Sequence, residues 1–169
     1  NQSAPHNSVW TEYNPTKFNA LKQAANNFLS SLELSDRSGL VSYANSATLD
    51  KFLSNNHALT QAAINSLITN GATDIGDAIA LANAELAVTS ANPLANKIMI
   101  LLTDGKANKP FGSGSGENSL DVAYALTKAG EAAVQGIKIF TIGLGVNGEI
   151  NQTMLQTIAT TTGGQYYHA

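Results

Sequence analysis

The fold class predicted by this 169-residue sequence is an open α/β sheet, mostly parallel, with helices on both faces and one antiparallel edge strand. Segments with apolar residues at helical spacing alternate with short apolar runs, the pattern of parallel crossovers. The run Ile98-Met99-Ile100-Leu101-Leu102 is continuous, as expected of a strand covered by helices on both faces. Two short runs flanking Asn45-Ser46 read as a hairpin, which supplies the antiparallel edge. Length and uniform character fit one domain over residues 1–169.

After a polar stretch from Asn1 to Tyr13, Asn14 as N-cap and Pro15 at the first helical position open a helix. Its apolar face is Phe18, Leu21, Ala25, Phe28, Leu29 and Leu32. Leu40 to Tyr43 is a strand, Asn45-Ser46 a tight turn, and Ala47 to Leu53 the returning strand. His57 to Ile68 is a helix stopped by Asn70-Gly71. The next helix, capped by Thr73 or Asp74, buries Ile75, Ala78, Ile79, Ala82 and Leu86 and breaks at Asn92-Pro93. Beyond the Ile98 strand, the segment Gly112-Ser113-Gly114-Ser115-Gly116 has the composition of a flexible surface loop whose glycines need no functional explanation. A helix from Ser119 to Gln135, a strand from Ile137 to Ile142, a helix from Asn151 to Thr160 and a short strand from Gln165 to Tyr167 complete the order.

Composition excludes several functions. Net charge is −3 without a Lys/Arg block, so the phosphate-neutralising surface of a nucleic-acid binder is missing, and membrane-surface binding loses support for the same reason. No apolar stretch approaches the roughly 20 residues that cross a bilayer. The absence of cysteine removes disulfides, thiolate metal sites and a Cys nucleophile. With 12% charged residues and abundant Asn, Ser and Thr, the chain reads as an exported bacterial surface protein. Gly143-Leu144-Gly145-Val146-Asn147-Gly148 matches a dinucleotide-binding turn, but no Asp or Glu follows Glu149 to hold a ribose. No Gly-x-Ser-x-Gly exists, and His6, His57 and His168 are scattered, so each reads as a surface or packing residue. Asp121, Glu131 and Glu85 read as solvated helix faces, Trp10 and Tyr13 as core cover or contact surface, and one of Tyr166 and Tyr167 as buried. An enzyme is therefore not expected.

Ligands of open parallel sheets bind beyond the carboxyl ends of the strands. Asp104 follows the Ile98 strand, and Thr73-Asp74 precedes a helix. These hard oxygen donors suit a divalent cation, and they equally suit ordinary turn chemistry, with Asp104 in an Asp-Gly turn and Thr73 as an N-cap.

The order of five segments shifts that balance. Gly39-Leu40-Val41-Ser42-Tyr43, Gly71-Ala72-Thr73-Asp74-Ile75-Gly76, Leu101-Leu102-Thr103-Asp104-Gly105, the run from Ile137 to Gly145, and Thr162-Gly163-Gly164-Gln165-Tyr166-Tyr167 resemble the von Willebrand factor A family in sequence and order. The spacing of Pro15, Lys17 and Ala20-Leu21-Lys22 is similar to bacterial members, including those associated with pilus assembly. The resemblance implies a Rossmann-like fold and an adhesion or surface-assembly module that binds a protein ligand or an extracellular surface. It also implies a site for Mg²⁺, Ca²⁺ or Mn²⁺, with Thr73 from the second of three loops and Asp104 from the third. The family's first loop, Asp-x-Ser-x-Ser, and its strand have no counterpart before the Pro15 helix, although Ser3 is a candidate remnant ligand.

In the family that strand lies between the Leu40 and Ile98 strands. Strands sit about 4.8 Å apart, so its absence leaves a gap that backbone hydrogen bonds cannot close. The expectation is that residues 1–169 do not fold stably alone. Another polypeptide supplies the strand, the chain is a fragment, or Asn1 to Tyr13 replaces it. The alternative function is a structural α/β scaffold with an incomplete cation site.

Overall fold

The computed structural model describes residues 16–69, 71–88, 95–146 and 148–169. Helix α1 spans Lys17–Ser30 and is followed by the strands β1 (Ser38–Tyr43) and β2 (Ala47–Ser54). Helices α2 (His57–Ser66) and α3 (Ile75–Val88) lead to β3 (Ile98–Thr103). Helix α4 (Ser119–Val134), strand β4 (Lys138–Gly143), helix α5 (Gln152–Thr161) and strand β5 (Tyr166–His168) complete the order.

Local chemistry sets the helix ends. Thr16 caps α1, its hydroxyl accepting from the Asn19 amide at 3.3 Å; the expected cap Asn14, with Pro15, lies outside the described residues. Helix α2 ends at Ser66 because Leu67 turns extended, short of the expected stop at Gly71, while Asn70 lies outside the described residues. Lys22 explains the early stop: its ammonium donates to the carbonyls of Asn65, at 2.9 Å, and Leu67, satisfying acceptors the helix leaves open. Asn118 and Asn151 cap α4 and α5. The expected break at Asn92-Pro93 lies outside the described residues, as do Trp10, Tyr13 and His6.

Strands β1 and β2 pair antiparallel across the Asn45-Ser46 turn, whereas β3, β4 and β5 form a parallel sheet in that order. Among the described residues no strand joins the two sheets. The carboxyl ends of β1 and β3 are nevertheless close, because the Tyr43 hydroxyl donates to the Leu102 carbonyl. Whether Asn1 to Tyr13 replaces the expected strand lies outside the described residues. Helix α3 spans the division, packing on β1 and β2 and also on α4.

The core joins Ile75 and Ile79 of α3, Ala125, Ala129 and Ala132 of α4, Met154, Leu155 and Ile158 of α5, and Met99, Leu101 and Ile139 of the parallel sheet. Helices therefore meet the hairpin on both faces: α2 through Thr60, which bonds Ser38, and α3 through the core cluster against which Tyr43 packs. Strand β3 departs from its expected burial. Met99 and Leu101 are buried, but Ile98 is 48% and Ile100 36% exposed, so among the described residues only one face of this strand is well covered. Among the described residues α1 packs on α2, and α4 and α5 are the helices that pack on the parallel sheet, chiefly through β4. Tyr166 packs against the core and Tyr167 is 47% exposed, as expected of a pair pointing to opposite faces.

Candidate functional site

Thr73 and Asp104 lie on loops that approach each other at the carboxyl edge where β1 and β3 end, Thr73 against Gly105. The α2–α3 loop is tied there to two other loops. The Asp74 amide donates to Ala44 O at 3.0 Å and the Ala72 amide to Asn45 Oδ1 at 3.0 Å, which fixes it to the hairpin turn. The Thr73 amide donates to Asn108 Oδ1 at 2.8 Å, and the Asn108 amide donates to Thr73 O at 3.1 Å, which fixes it to the loop after β3.

The competition between Thr73 and Asp74 for the cap of α3 is resolved by geometry. Asp74 Oδ1 accepts from the Asp77 amide at 3.2 Å, the bond an N-cap makes three residues into a helix. Thr73 is thereby released from capping. Its Oγ1 lies 2.7 Å from where a Cβ would stand on Gly105, the neighbour of the exposed Asp104. Only a residue without a side chain leaves this cradle open. A hydroxyl and a carboxylate are hard oxygen donors of the kind Mg²⁺ and Ca²⁺ take, so by their chemistry Thr73 and Asp104 fit part of a cation's shell. Among the described residues no three His, Asp or Glu side chains converge as metal ligands. Ser3 lies outside the described residues.

Burial shapes the electrostatics. Asp74 is 1% exposed and its Oδ2 has no hydrogen-bond partner; burial, reinforced by the charge of Asp77, pushes its carboxyl up to about 6. Burial likewise raises the Tyr43 phenol, and the Asp104 carboxylate adds to the rise, so Tyr43 stays a neutral donor.

Several side chains have roles that their spacing did not show. Asp121, expected on a solvated face, is fully buried and accepts from the amides of Phe111 at 2.8 Å and Gly112 at 2.9 Å. The acid three residues after the cap Asn118 was the available signal, a capping-box spacing. Glu85, also expected to be solvated, accepts from the Leu53 amide of β2 at 2.8 Å. Glu131 meets the expectation, pairing with Lys128 at the surface. The loop from Lys106 to Glu117 is not free: Gly114 donates to Asn108 O, Asn118 donates to Ala107 O, and Asn108 Nδ2 donates to Gly116 O. Its glycines are structural, since a Cβ on Gly112 would lie 2.5 Å from Asn108 O and Gly114 has φ +91°.

Ser38 Oγ lies 2.8 Å from His57 Nδ1, but Ser38 is only 6% exposed and His57 Nε2 faces the Glu33 carbonyl, so His57 reads as a packed link from α2 to the start of β1 and to the loop after α1. His168 Nε2 contacts Gly145 O. No helix among the described residues is long and apolar enough to cross a membrane.

Comparison with known folds agrees with this architecture. The protein BatB from Bacteroides thetaiotaomicron superposes with a TM-score of 0.73 at 21% identity, over 92% of this chain and 81% of that one. An aerotolerance-related membrane protein from Bacteroides fragilis gives 0.72 at 18% identity, over 92% and 82%. The vWF domain of the type V pili tip protein Mfa5 from Porphyromonas gingivalis gives 0.67 at 12% identity, over 90% and 82%. No curated protein matched the sequence. The family model of the von Willebrand factor type A domain matches residues 9–169, nearly the whole chain. With that match and the shared α/β architecture, the chain belongs to the von Willebrand factor type A domain family.

Proposed function

We propose that this chain is a divalent-cation-assisted protein-binding module of a bacterial surface or exported protein, acting in adhesion or assembly and not as an enzyme. The observation that carries the proposal is the cradle at Gly105, the residue after Asp104, against which the Thr73 hydroxyl is held free of the capping role. Thr73 and Asp104 would hold Mg²⁺, Ca²⁺ or Mn²⁺, Asp104 in part through water. When bound, the cation supplies an electrophilic position for an oxygen of a protein partner. The chain's own residues orient and limit that position. Asp74 anchors α3, Tyr43 holds the β1 and β3 ends together, and the loop from Lys106 to Glu117 forms one rim.

The remaining ligands come, in this reading, from an Asp-x-Ser-x-Ser loop supplied by polypeptide outside residues 16–169, through either the same chain or a strand-donating partner. Its strand would enter the interruption between β1 and β3. Surface placement is supported by the neighbours, one a pilus tip protein and another a membrane protein. The absence of an enzymatic role is supported by the burial of Ser38 beside His57 and by the missing acid after Glu149.

Thermal unfolding in EDTA and then in excess Mg²⁺, Ca²⁺ or Mn²⁺ tests the proposal, because a ligand specific to the native state raises the midpoint. A rise that disappears in Thr73→Ala and Asp104→Ala is expected. A cooperative transition indifferent to all three cations would replace this reading with that of a structural scaffold.

A further inference from the structure

A threonine hydroxyl can serve a cation only if the backbone beneath it is held in one direction. Asn108 supplies that hold. It is 8% exposed, and each of its four polar groups has a partner. Its amide donates to Thr73 O at 3.1 Å, its Oδ1 accepts from the Thr73 amide at 2.8 Å, its Nδ2 donates to Gly116 O at 3.0 Å, and its carbonyl accepts from the Gly114 amide at 3.2 Å.

The two bonds to Thr73 grip the peptide groups on both sides of one α-carbon. That fixes φ and ψ of Thr73 together, and with them the direction of its Cα–Cβ bond. A β-branched side chain then has few rotamers left. The result is the hydroxyl's place over Gly105. A buried amide is unfavourable unless fully bonded, so Asn108 has little freedom to move once these four bonds form.

We infer that Asn108 is the positioning residue of the cation site, acting through Thr73 and not as a ligand itself. The inference rests on the reading of Thr73 and Asp104 as cation ligands. It predicts that Asn108 matters for cation affinity only while the Thr73 hydroxyl is present.

A double-mutant cycle on the full protein, titrated calorimetrically with Mn²⁺ alone, tests this. Thr73→Ala and Asn108→Ala are each expected to weaken Mn²⁺ binding by about 10- to 100-fold, the usual effect of losing support around a metal ligand. The double variant is expected to bind no worse than Thr73→Ala. Asn108→Asp, which keeps an acceptor for the Thr73 amide, is expected to retain both Mn²⁺ binding and slow exchange of that amide in EDTA, whereas Asn108→Ala loses both.

If Asn108→Ala weakens Mn²⁺ equally in the presence and absence of the Thr73 hydroxyl, the positioning role is wrong. It is wrong too if Asn108→Ala binds like the parent while Thr73→Ala does not. Should Asn108→Ala fail to fold, folded Asn108→Asp decides: Mn²⁺ affinity lost while the Thr73 amide stays protected overturns the inference, as does parent-like affinity with that protection gone. Parent-like binding by Thr73→Ala instead removes the underlying cation reading and the inference with it.

Discussion

Replacing Gly105 by alanine separates the candidate site from the fold that carries it. The added Cβ would stand 2.7 Å from Thr73 Oγ1 and 3.7 Å from Thr73 Cβ and Cγ2. Nonbonded heavy atoms settle at roughly 3.5 Å or more, so the oxygen must move while the two carbons need not. The relief is rotation of Thr73 about χ1, which takes the hydroxyl out of its place over Gly105. Any off-rotamer strain is about 0.5–1.5 kcal/mol. The reduced freedom of alanine in the unfolded chain offsets about 0.4–1 kcal/mol of it. Stability in EDTA should thus change by less than about 1 kcal/mol, a shift of a few degrees at most. Cation affinity should fall by about 10- to 100-fold, or about 1.4–2.7 kcal/mol, because a donor is displaced. Mn²⁺ calorimetry and melting in EDTA read the two effects separately. Unchanged Mn²⁺ affinity in Gly105→Ala would refute the placement of Thr73 as a ligand, and a large loss of stability in EDTA would show that Gly105 serves the fold.

Three further outcomes follow from the packing. Gly76→Ala should destabilise by about 1–3 kcal/mol in urea unfolding, because its Cβ would lie 2.1 Å from the Tyr124 ring; overpacking and loss of the 2.9 Å Tyr124–Asp77 bond outweigh the gain of about 1 kcal/mol in helix propensity. A variant more stable than the parent would contradict the tight α3–α4 contact. Asp121→Ala should lose about 2–4 kcal/mol and speed amide exchange at Phe111 and Gly112, whose donors it strands; unchanged exchange would show that other acceptors serve them. For Asp74, raised to about 6 by burial and then by Asp77, the native state binds the extra proton. Its contribution to stability is full below the unfolded value of about 4 and is lost as pH rises through about 6. In metal-free buffer the melting midpoint of Asp74→Asn should therefore fall less between pH 4.5 and pH 7 than that of the parent, and parallel curves would exclude a raised Asp74.

The order of elements was legible because each segment carries its own period. The hairpin around Asn45 and the buried face Ile75, Ala78 and Ile79 follow directly from that local pattern. The continuous run at Ile98 was misleading, since an apolar residue can be placed on a face without a neighbour to cover it, as Ile98 and Ile100 show. Thr73 and Asp104 stood out through family resemblance, but which of Thr73 and Asp74 caps α3 depended on a bond direction that no spacing encodes. Asn108 was illegible for a related reason: its partner Thr73 lies 35 positions away and is met through the backbone, which leaves no mark on residue type. Asp121 was half legible, because its distance from Asn118 marks a helix start while its acceptance from Phe111 and Gly112 requires the loop to fold back.

That folded-back loop bears on how a partner would be met. Segments rich in glycine and serine ordinarily lose motional freedom when something docks on them, about 0.5–1.5 kcal/mol for each side chain immobilised. Between Ala107 and Asn118 the backbone is already pinned by Asn108, Asp121 and its own carbonyls. Little entropy remains to be lost there on contact. In the proposed partner-binding role, encounter with this rim would be a rigid landing, its rate set by diffusion and orientation and not by the closing of a lid.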